Sequence, residues 1–148
     1  MNKIIFDNVI PHVFANNVQL KSEIWGKHTT FSKGKTYLVE AASGMGKSTF
    51  CSYVIGYRHD YSGVLSFDDE DTKLYNTTRW TDIRKHHISH LFQELRLFPE
   101  LTAWENVKIK NNLTNFSTSN VVDSWFERLG IADKKNSLIG EMSFGQQQ

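Results

Sequence analysis

Residues 36–57 contain three predicted elements in immediate succession, and this succession constrains the fold more than any other feature of the chain. A β-prone run, TYLV, occupies residues 36–39. It is followed by a loop of small residues, AASGMGKST, at 41–49, and by an apolar stretch at 50–57. A strand, a small-residue loop and a helix in this order are typical of α/β folds with a parallel sheet. The unit therefore predicts a mixed α/β core.

The loop has the composition of a phosphate-binding site. Gly44 and Gly46 lack side chains, so the backbone can curl there and turn consecutive N–H groups toward an anion. The following helix adds the positive end of its dipole, Lys47 adds a mobile ammonium group, and the Ser48 hydroxyl suits Mg²⁺. The loop is thus predicted to bind the triphosphate of a nucleotide together with Mg²⁺. The predicted nucleotide-contacting residues are Ser43, Gly44, Met45, Gly46, Lys47, Ser48 and Thr49.

One position of the loop departs from the usual phosphate-loop pattern. That pattern begins with glycine, and Ala41 stands in its place. The position lies at the strand end, farthest from the phosphates, so we expect a methyl group to be tolerated. The alternative is a glycine-rich turn that contains Gly-Lys-Ser by chance. The location between a predicted strand and a predicted helix favours the phosphate site.

The rest of the N-terminal part predicts β-structure. Residues 3–14 are rich in Ile, Val and Phe and predict a strand that Pro11 interrupts. A second apolar segment covers residues 18–25. Residues 58–71 predict a hairpin with an acidic turn, and residues 88–92 predict another strand that ends at Gln93. We therefore expect an antiparallel β portion beside the α/β core.

From Pro99 onward the sequence becomes helical in character. Thr102 and Glu105 have the spacing of a capping box, in which each side chain accepts from the other residue's backbone N–H. Residues 111–120 are polar and predict a loop. Apolar residues at 122, 125, 126 and 129 predict an amphipathic helix that Gly130 ends.

Composition excludes several functions and supports others only weakly. The net charge of +1 gives no support for nucleic-acid binding. No stretch approaches the length of a membrane span, so we expect a soluble protein. The single cysteine, Cys51, cannot form an internal disulfide and favours a reducing compartment. His86 and His90 have the i, i+4 spacing of helical metal ligands, and His87 lies between them. Because they precede or lie in a predicted strand, a surface or packing role is favoured over zinc.

Three further segments resemble ATP-binding-cassette (ABC) proteins. Leu91-Phe92-Gln93, followed by LFPELTAWENV at 97–107, is similar to the family's Q-loop region. EMSFGQQQ at 141–148 resembles its signature motif, commonly Leu-Ser-Gly-Gly-Gln. The opening strand with a downstream aromatic resembles the A-loop region. The segments occur in the family's order, and the resemblance covers essentially the whole chain.

This resemblance implies roles for residues outside the phosphate loop. Phe14 would stack on the adenine, with His12 as a weaker candidate, and Gln93 would approach Mg²⁺ and the attacking water. Ser143 and Gly145 would bind the γ-phosphate of an ATP held by a second nucleotide-binding subunit, which implies a head-to-tail dimer. Phe144 stands where the family usually has glycine, so its bulk could crowd that contact.

The resemblance further implies the ATP-binding subunit of an ABC transporter, which couples ATP binding and hydrolysis to transport through a transmembrane permease. Such a subunit is cytoplasmic and peripheral at the inner face of the membrane. A soluble ABC protein acting in translation or DNA repair is the alternative. A metabolic P-loop kinase would leave the regions of Gln93 and Ser143 unexplained.

The family also implies a domain organisation and a catalytic expectation. We expect a P-loop NTPase (RecA-like) core over residues 1–98, with the phosphate loop and Q-loop, and a helical subdomain over 99–148 that ends in the signature motif. The fold is expected to be incomplete at the C-terminus. The family's acidic strand end and catalytic glutamate lie beyond the signature motif. We therefore expect these 148 residues to bind ATP without hydrolysing it.

Overall fold

A four-stranded antiparallel sheet forms the centre of the N-terminal part of the computed structural model, which describes residues 1–16 and 20–148. Its strands lie in the order β2-β1-β3-β4. Their bounds are β1 Lys3–Pro11, β2 His28–Ser32, β3 Tyr61–Phe67 and β4 Glu70–Asp71. The start of the predicted apolar segment 18–25 lies outside the described residues. The predicted antiparallel β portion is confirmed.

A bulge in β1 explains why its buried residues do not alternate regularly. Phe6 and Val9 are both fully buried although they are three positions apart. The register with β3 shifts between Asp7 and Ile10, and Asn8 between them has a positive φ of 52°. The extra residue turns Val9 onto the face that Phe6 already occupies. The bulge thus directs both side chains into one core.

Two helices contribute to that core, α1 at Lys47–Val54 and α2 at Thr77–His86. The Phe6 ring stacks on Phe50 of α1 with a centroid distance of 5.0 Å. Trp80 and Ile83 of α2 join the same cluster. The buried members are Phe6, Val9, Trp25, Tyr53, Tyr61, Leu65, Phe67, Trp80 and Ile83. Most of them are aromatic, and aromatic side chains bury a large apolar area each.

The sequence analysis did not predict α2. Asn76 caps it, since its side chain accepts a hydrogen bond from the Arg79 N–H at 2.8 Å. The sequence nevertheless contains the signals of a helix here. An N-cap residue is followed by two apolar residues three positions apart, Trp80 and Ile83. The predicted hairpin is confirmed, because β3 and β4 pair in antiparallel fashion around Asp68 and Asp69.

The C-terminal part contains three helices, α3 at Ala103–Asn111, α4 at Ser119–Arg128 and α5 at Phe144–Gln147. The capping box predicted at Thr102 and Glu105 is present. Helix α4 buries Val122 and Phe126 of its predicted apolar side, whereas Trp125 and Leu129 are exposed. The helix ends before Gly130, which has a φ of 70°. The buried residues of this part are Ala103, Val122, Phe126, Ile139 and Met142. Among the helices described, none combines the length and apolarity that crossing a bilayer requires.

Two predicted strands are wrong. Residues 36–39 and 88–92 adopt no strand in the structure, and Leu38 and Leu91 are 83% and 90% exposed. A parallel strand needs a neighbouring strand and covered faces, and no other described segment pairs with either run. The fold is nevertheless mixed α/β, as predicted. Its described strands are antiparallel.

The chain divides into two compact units, Met1–Ile88 and Ser89–Gln148. The N-terminal unit contains the sheet, α1 and α2, and the C-terminal unit contains α3, α4 and α5. The domain boundary predicted after residue 98 concerns functional domains and not compact units, and it stays a prediction. The phosphate loop lies in the N-terminal unit, whereas Gln93 lies in the C-terminal unit.

Candidate nucleotide-binding site

The loop before α1 has the backbone geometry of an anion-binding turn. Gly44 and Gly46 have φ values of 77° and 93°, in the left-handed region that disfavours side chains. Gly46 is the N-cap of α1, and its carbonyl accepts the Phe50 N–H at 2.8 Å. The first turn of α1 therefore directs its unpaired N–H groups toward the loop. This arrangement follows from the two glycines.

Gly46 is required for space as well as for conformation. A Cβ atom there would lie 3.0 Å from Cε2 of Phe14 and 3.0 Å from Nε1 of Trp25. A Cβ atom at Gly44 would meet no atom of the described residues within 4 Å. The two glycines therefore have different surroundings: Gly44 is open, and Gly46 lies against two aromatic rings.

Trp25 contacts the loop directly, and the sequence analysis did not single it out for the site. It is 6% exposed, and its indole N–H donates to the Met45 carbonyl at 3.4 Å. Its ring meets Phe50 and Tyr53 of α1 edge to face, at centroid distances of 6.4 and 6.0 Å. No local pattern could have revealed this role, since Trp25 and Met45 are separated by twenty positions.

Lys47 donates its side-chain hydrogen bonds to the loop itself. Its ammonium group bonds the carbonyl oxygens of Ala41 and, at 3.1 Å, of Ala42. The side chain is exposed, so phosphate oxygens can reach it from solvent. A triphosphate would offer this ammonium group stronger, charged acceptors than the two carbonyls. The residue is thus both a loop contact and a phosphate ligand candidate.

The hydroxyl groups of the loop fit the predicted roles. Ser43 and Ser48 are exposed, and Thr49 is half-buried. Ser48 is the second residue of α1, where its hydroxyl lies beside the helix N-terminus. A hydroxyl oxygen is a hard ligand, and Mg²⁺ completes its coordination with water and phosphate oxygens. The residues present therefore fit a Mg²⁺ ion bound together with a triphosphate.

Phe14, the predicted adenine-stacking residue, lies beside the loop. It ends a short 3₁₀ helix, His12–Phe14, and is half-buried. One ring atom, Cε2, is the nearest neighbour of the missing Cβ of Gly46. His12, the weaker candidate, is exposed, and its backbone N–H donates to the Asp60 carbonyl at 2.9 Å. The structure therefore brings Phe14 and the loop together, and adenine stacking stays a prediction.

A cleft of about 920 Å³ borders the loop. Trp25, Phe31, Glu40, Lys47 and Phe50 are among its lining residues. Its volume is in the range of small-molecule sites. The phosphate site, however, depends on the N–H groups at the start of α1, where Lys47 and Ser48 are exposed. The groups predicted to bind phosphate therefore lie at the loop and the helix end, and the cleft borders them.

Two tyrosines near the loop have shifted pKa values with physical causes. Burial raises the pKa of Tyr53 to about 12, with a further contribution from Asp60. The Tyr53 hydroxyl donates to the Asp60 carbonyl at 3.0 Å. A hydrogen bond from the Ser32 N–H lowers the pKa of Tyr37. Tyr53 is therefore neutral at physiological pH and supports α1 by packing.

The predicted signature residues lie in the C-terminal unit. Ser143 caps α5, and a capping box joins it to Gln146: its N–H donates to Gln146 Oε1 at 3.0 Å. Ser143 and Gly145 are exposed. Phe144, which departs from the family pattern, is 65% exposed. The serine hydroxyl therefore remains accessible to a ligand from solvent, while its backbone N–H already has a partner.

Gln93 and the histidines complete the predicted positions. Gln93 is exposed in a bend of the C-terminal unit. His86 is the last residue of α2, not part of a strand, and its Nδ1 lies 2.9 Å from Asp82 Oδ1. Residues 1–16 and 20–148 contain no group of three or more His, Cys, Asp or Glu side chains arranged to hold a metal ion. His86 was expected to precede or lie in a strand, and it instead ends a helix that was not predicted from the sequence.

Comparison with known proteins identifies the family of the chain. A family model described as ABC transporter matches residues 26–148. The ABC transporter ATP-binding protein YtrE of Bacillus subtilis is 30% identical over 120 residues, which cover 79% of this chain and 52% of that protein. The lipoprotein-releasing system ATP-binding protein LolD of Geobacter metallireducens is 32% identical over 126 residues, 83% of this chain and 56% of that protein.

A third relative matches nearly the whole chain. The putative ABC transporter ATP-binding protein MG065 homolog of Mycoplasma pneumoniae is 30% identical over 142 residues, 95% of this chain and 30% of that protein. The chain thus spans about half the length of YtrE and LolD, and less of the third relative.

Proposed function

Because the chain belongs to the ABC transporter family, we propose that it binds Mg²⁺ and ATP as the ATP-binding part of a transporter. The family is a P-loop ATPase family, so nucleotide binding is the activity that it implies. The relatives carry the names of transporter ATP-binding proteins. These names favour the transporter role over a soluble ABC protein of translation or DNA repair.

The phosphate loop is the observation that supports this proposal. Two left-handed glycines precede an eight-residue helix, and an exposed ammonium group lies at the first position of that helix. Backbone N–H groups, a helix N-terminus and a cation together suit a polyphosphate. Each charge-assisted hydrogen bond contributes about 1.5–3 kcal/mol. Several such bonds are enough for micromolar affinity or better.

Calorimetric titration with Mg²⁺ and ATP tests the proposal. We expect binding that Lys47→Ala weakens by at least tenfold, because the variant removes the cation from the phosphate site. Lys35→Ala is the matched control, since Lys35 is an exposed lysine in the turn before the loop. It should leave the affinity unchanged. Absence of heat with the folded wild-type protein would refute nucleotide binding.

Gln93, Ser143 and Gly145 enter the proposal through the family pattern. Gln93 would contact Mg²⁺ and the attacking water, while Ser143 and Gly145 would bind the γ-phosphate on a second subunit. This requires a head-to-tail dimer in the presence of ATP. Sedimentation should show dimers with Mg²⁺ and ATP, monomers without them, and monomers in both conditions for Ser143→Ala. Dimers that are insensitive to nucleotide would contradict this arrangement.

A transmembrane permease is the proposed partner, and it would hold the protein at the inner face of the membrane. Purification from detergent-solubilised membranes tests this point, with the partner identified by mass spectrometry. We expect an integral membrane protein of the permease type. Recovery with ribosomes or DNA instead would support the soluble alternative and contradict the transporter role.

A further inference from the structure

We infer that Trp25 is a positioning residue for the phosphate site, which orients the peptide between Met45 and Gly46 through its indole N–H. The inference rests on the proposed nucleotide binding. Trp25 lies outside the loop in the sequence and belongs to the segment before β2. It nevertheless reaches Met45 with its donor and Gly46 with its ring.

The planarity of the peptide bond links the Met45 carbonyl to the Gly46 N–H. In a trans peptide, the carbonyl of one residue and the N–H of the next point in opposite directions. Trp25 holds the Met45 carbonyl on its own side at 3.4 Å. The Gly46 N–H must therefore point away from Trp25. In the proposed complex, a phosphate bound at the loop would meet the Gly46 N–H from that opposite side.

The orientation of the Met45–Gly46 peptide needs support because Gly46 is a glycine. Its φ of 93° lies in a region that glycine adopts readily, and glycine also populates the opposite sign of φ. The Met45–Gly46 peptide could therefore rotate at small cost if nothing held it. A hydrogen bond from a rigid indole group opposes this rotation. Trp25 thus pre-organises a donor before the ligand arrives.

Trp25 is itself held on several sides. Its backbone N–H donates to the Ser22 hydroxyl at 2.9 Å, and the next residue, Gly26, donates to the Val9 carbonyl of β1 at 2.9 Å. Edge-to-face contacts with Phe6, Phe50 and Tyr53 fix the ring. The indole group is therefore a fixed point between the sheet and the loop.

The substitution Trp25→Phe tests the inference, because it keeps an aromatic ring and removes the N–H donor. One lost neutral hydrogen bond predicts roughly two- to tenfold weaker binding of Mg²⁺ and ATP. The matched control is Trp80→Phe, which alters another buried tryptophan, 5% exposed, in α2 of the same unit. It should cost comparable stability in urea and leave ATP affinity unchanged. Equal ATP affinity of wild type and Trp25→Phe would overturn the inference.

A second measurement leaves Trp25 in place, so it does not depend on the folding of Trp25→Phe. In a protein with Trp80, Trp104 and Trp125 replaced by Phe, Trp25 is the remaining tryptophan. Its emission should shift when Mg²⁺ and ATP are added, and should not shift with adenosine, which has no phosphates. Calorimetric binding without an emission change would overturn the inference.

The two proposals fail in different ways. If the wild-type protein gives no heat with ATP, nucleotide binding itself is wrong. If the wild-type protein binds ATP, Lys47→Ala does not, and Trp25→Phe binds as the wild type does, only the role of Trp25 is wrong.

Discussion

The substitutions Gly46→Ala and Gly44→Ala separate two reasons for glycine in the phosphate loop, the left-handed backbone and the lack of space for a side chain. Both residues have positive φ, 93° for Gly46 and 77° for Gly44. An L-residue in left-handed backbone costs about 1–2 kcal/mol. Both substitutions also reduce the freedom of the unfolded chain by similar amounts. These terms nearly cancel when the two variants are compared.

The remaining difference is the space around Cβ. At Gly44 the new methyl group meets no atom in the described part of the chain within 4 Å, whereas at Gly46 it lies 3.0 Å from both Phe14 and Trp25. Insertion of a methyl group into a packed site costs about 1–3 kcal/mol. We therefore expect Gly46→Ala to be less stable than Gly44→Ala by about 1–3 kcal/mol.

Urea unfolding without nucleotide, followed by tyrosine and tryptophan fluorescence, measures this difference. Nucleotide must be absent, since a bound ligand would add its own stabilisation to the folded state. Equal midpoints for the two variants would refute the reasoning, because they would mean that Phe14 and Trp25 do not pack against Gly46. A less stable Gly44→Ala would refute it more strongly.

Two further predictions concern the C-terminal unit. Hydrogen bonds from the Thr102 N–H and hydroxyl lower the pKa of Glu105. The ionised Glu105 side chain therefore stabilises the fold fully above its ordinary pKa of 4.5, and this effect is lost as the pH falls through the lowered pKa of the folded protein. In urea titrations at acidic pH, the difference in unfolding free energy between the wild type and Glu105→Ala should therefore become smaller. The Asn106 amide accepts the Phe98 N–H at 2.8 Å and donates to the Phe98 carbonyl at 3.1 Å. Asn106→Asp keeps the acceptor and loses the donor, and should lower the free energy of unfolding by about 1–3 kcal/mol; an unchanged urea midpoint would contradict that.

Local structure that depends on residues close together in the sequence was predictable. The capping box at Thr102 and Glu105 involves residues three apart, so its spacing alone indicated it. The glycines of the phosphate loop were similarly recognisable, because left-handed backbone has few residue choices. The end of α4 before Gly130 follows the same logic.

Long-range pairing was not predictable. Residues 36–39 and 88–92 have strand-like composition, but a strand forms only when another segment pairs with it. Leu38 and Leu91 are instead exposed. The contact of Trp25 with Met45 is also long-range, and it depends on the bulge of β1 and the path before β2. A tryptophan in the sequence carries no information about which backbone carbonyl it will reach.

The phosphate loop keeps its shape although the residues before it form no strand. Trp25 holds the Met45 carbonyl from one side, and the Lys47 ammonium group holds the carbonyls of Ala41 and Ala42. The Met45 N–H also donates to the Ala42 carbonyl at 3.3 Å. Lys47 and Met45 therefore share one acceptor, and the loop is closed by contacts of its own.

This closure predicts an effect of Lys47 in the absence of ligand. Lys47→Met keeps most of the side-chain length and removes the ammonium group, so the Ala42 carbonyl loses one of its two donors. Amide hydrogen exchange at Met45 should become faster in the empty protein, whereas Lys35→Met should leave it unchanged. If Lys47 acted only on phosphate, exchange in the empty protein would be the same as in the wild type. Unchanged exchange at Met45 would thus show that the contacts of Lys47 with the carbonyls do not hold the loop.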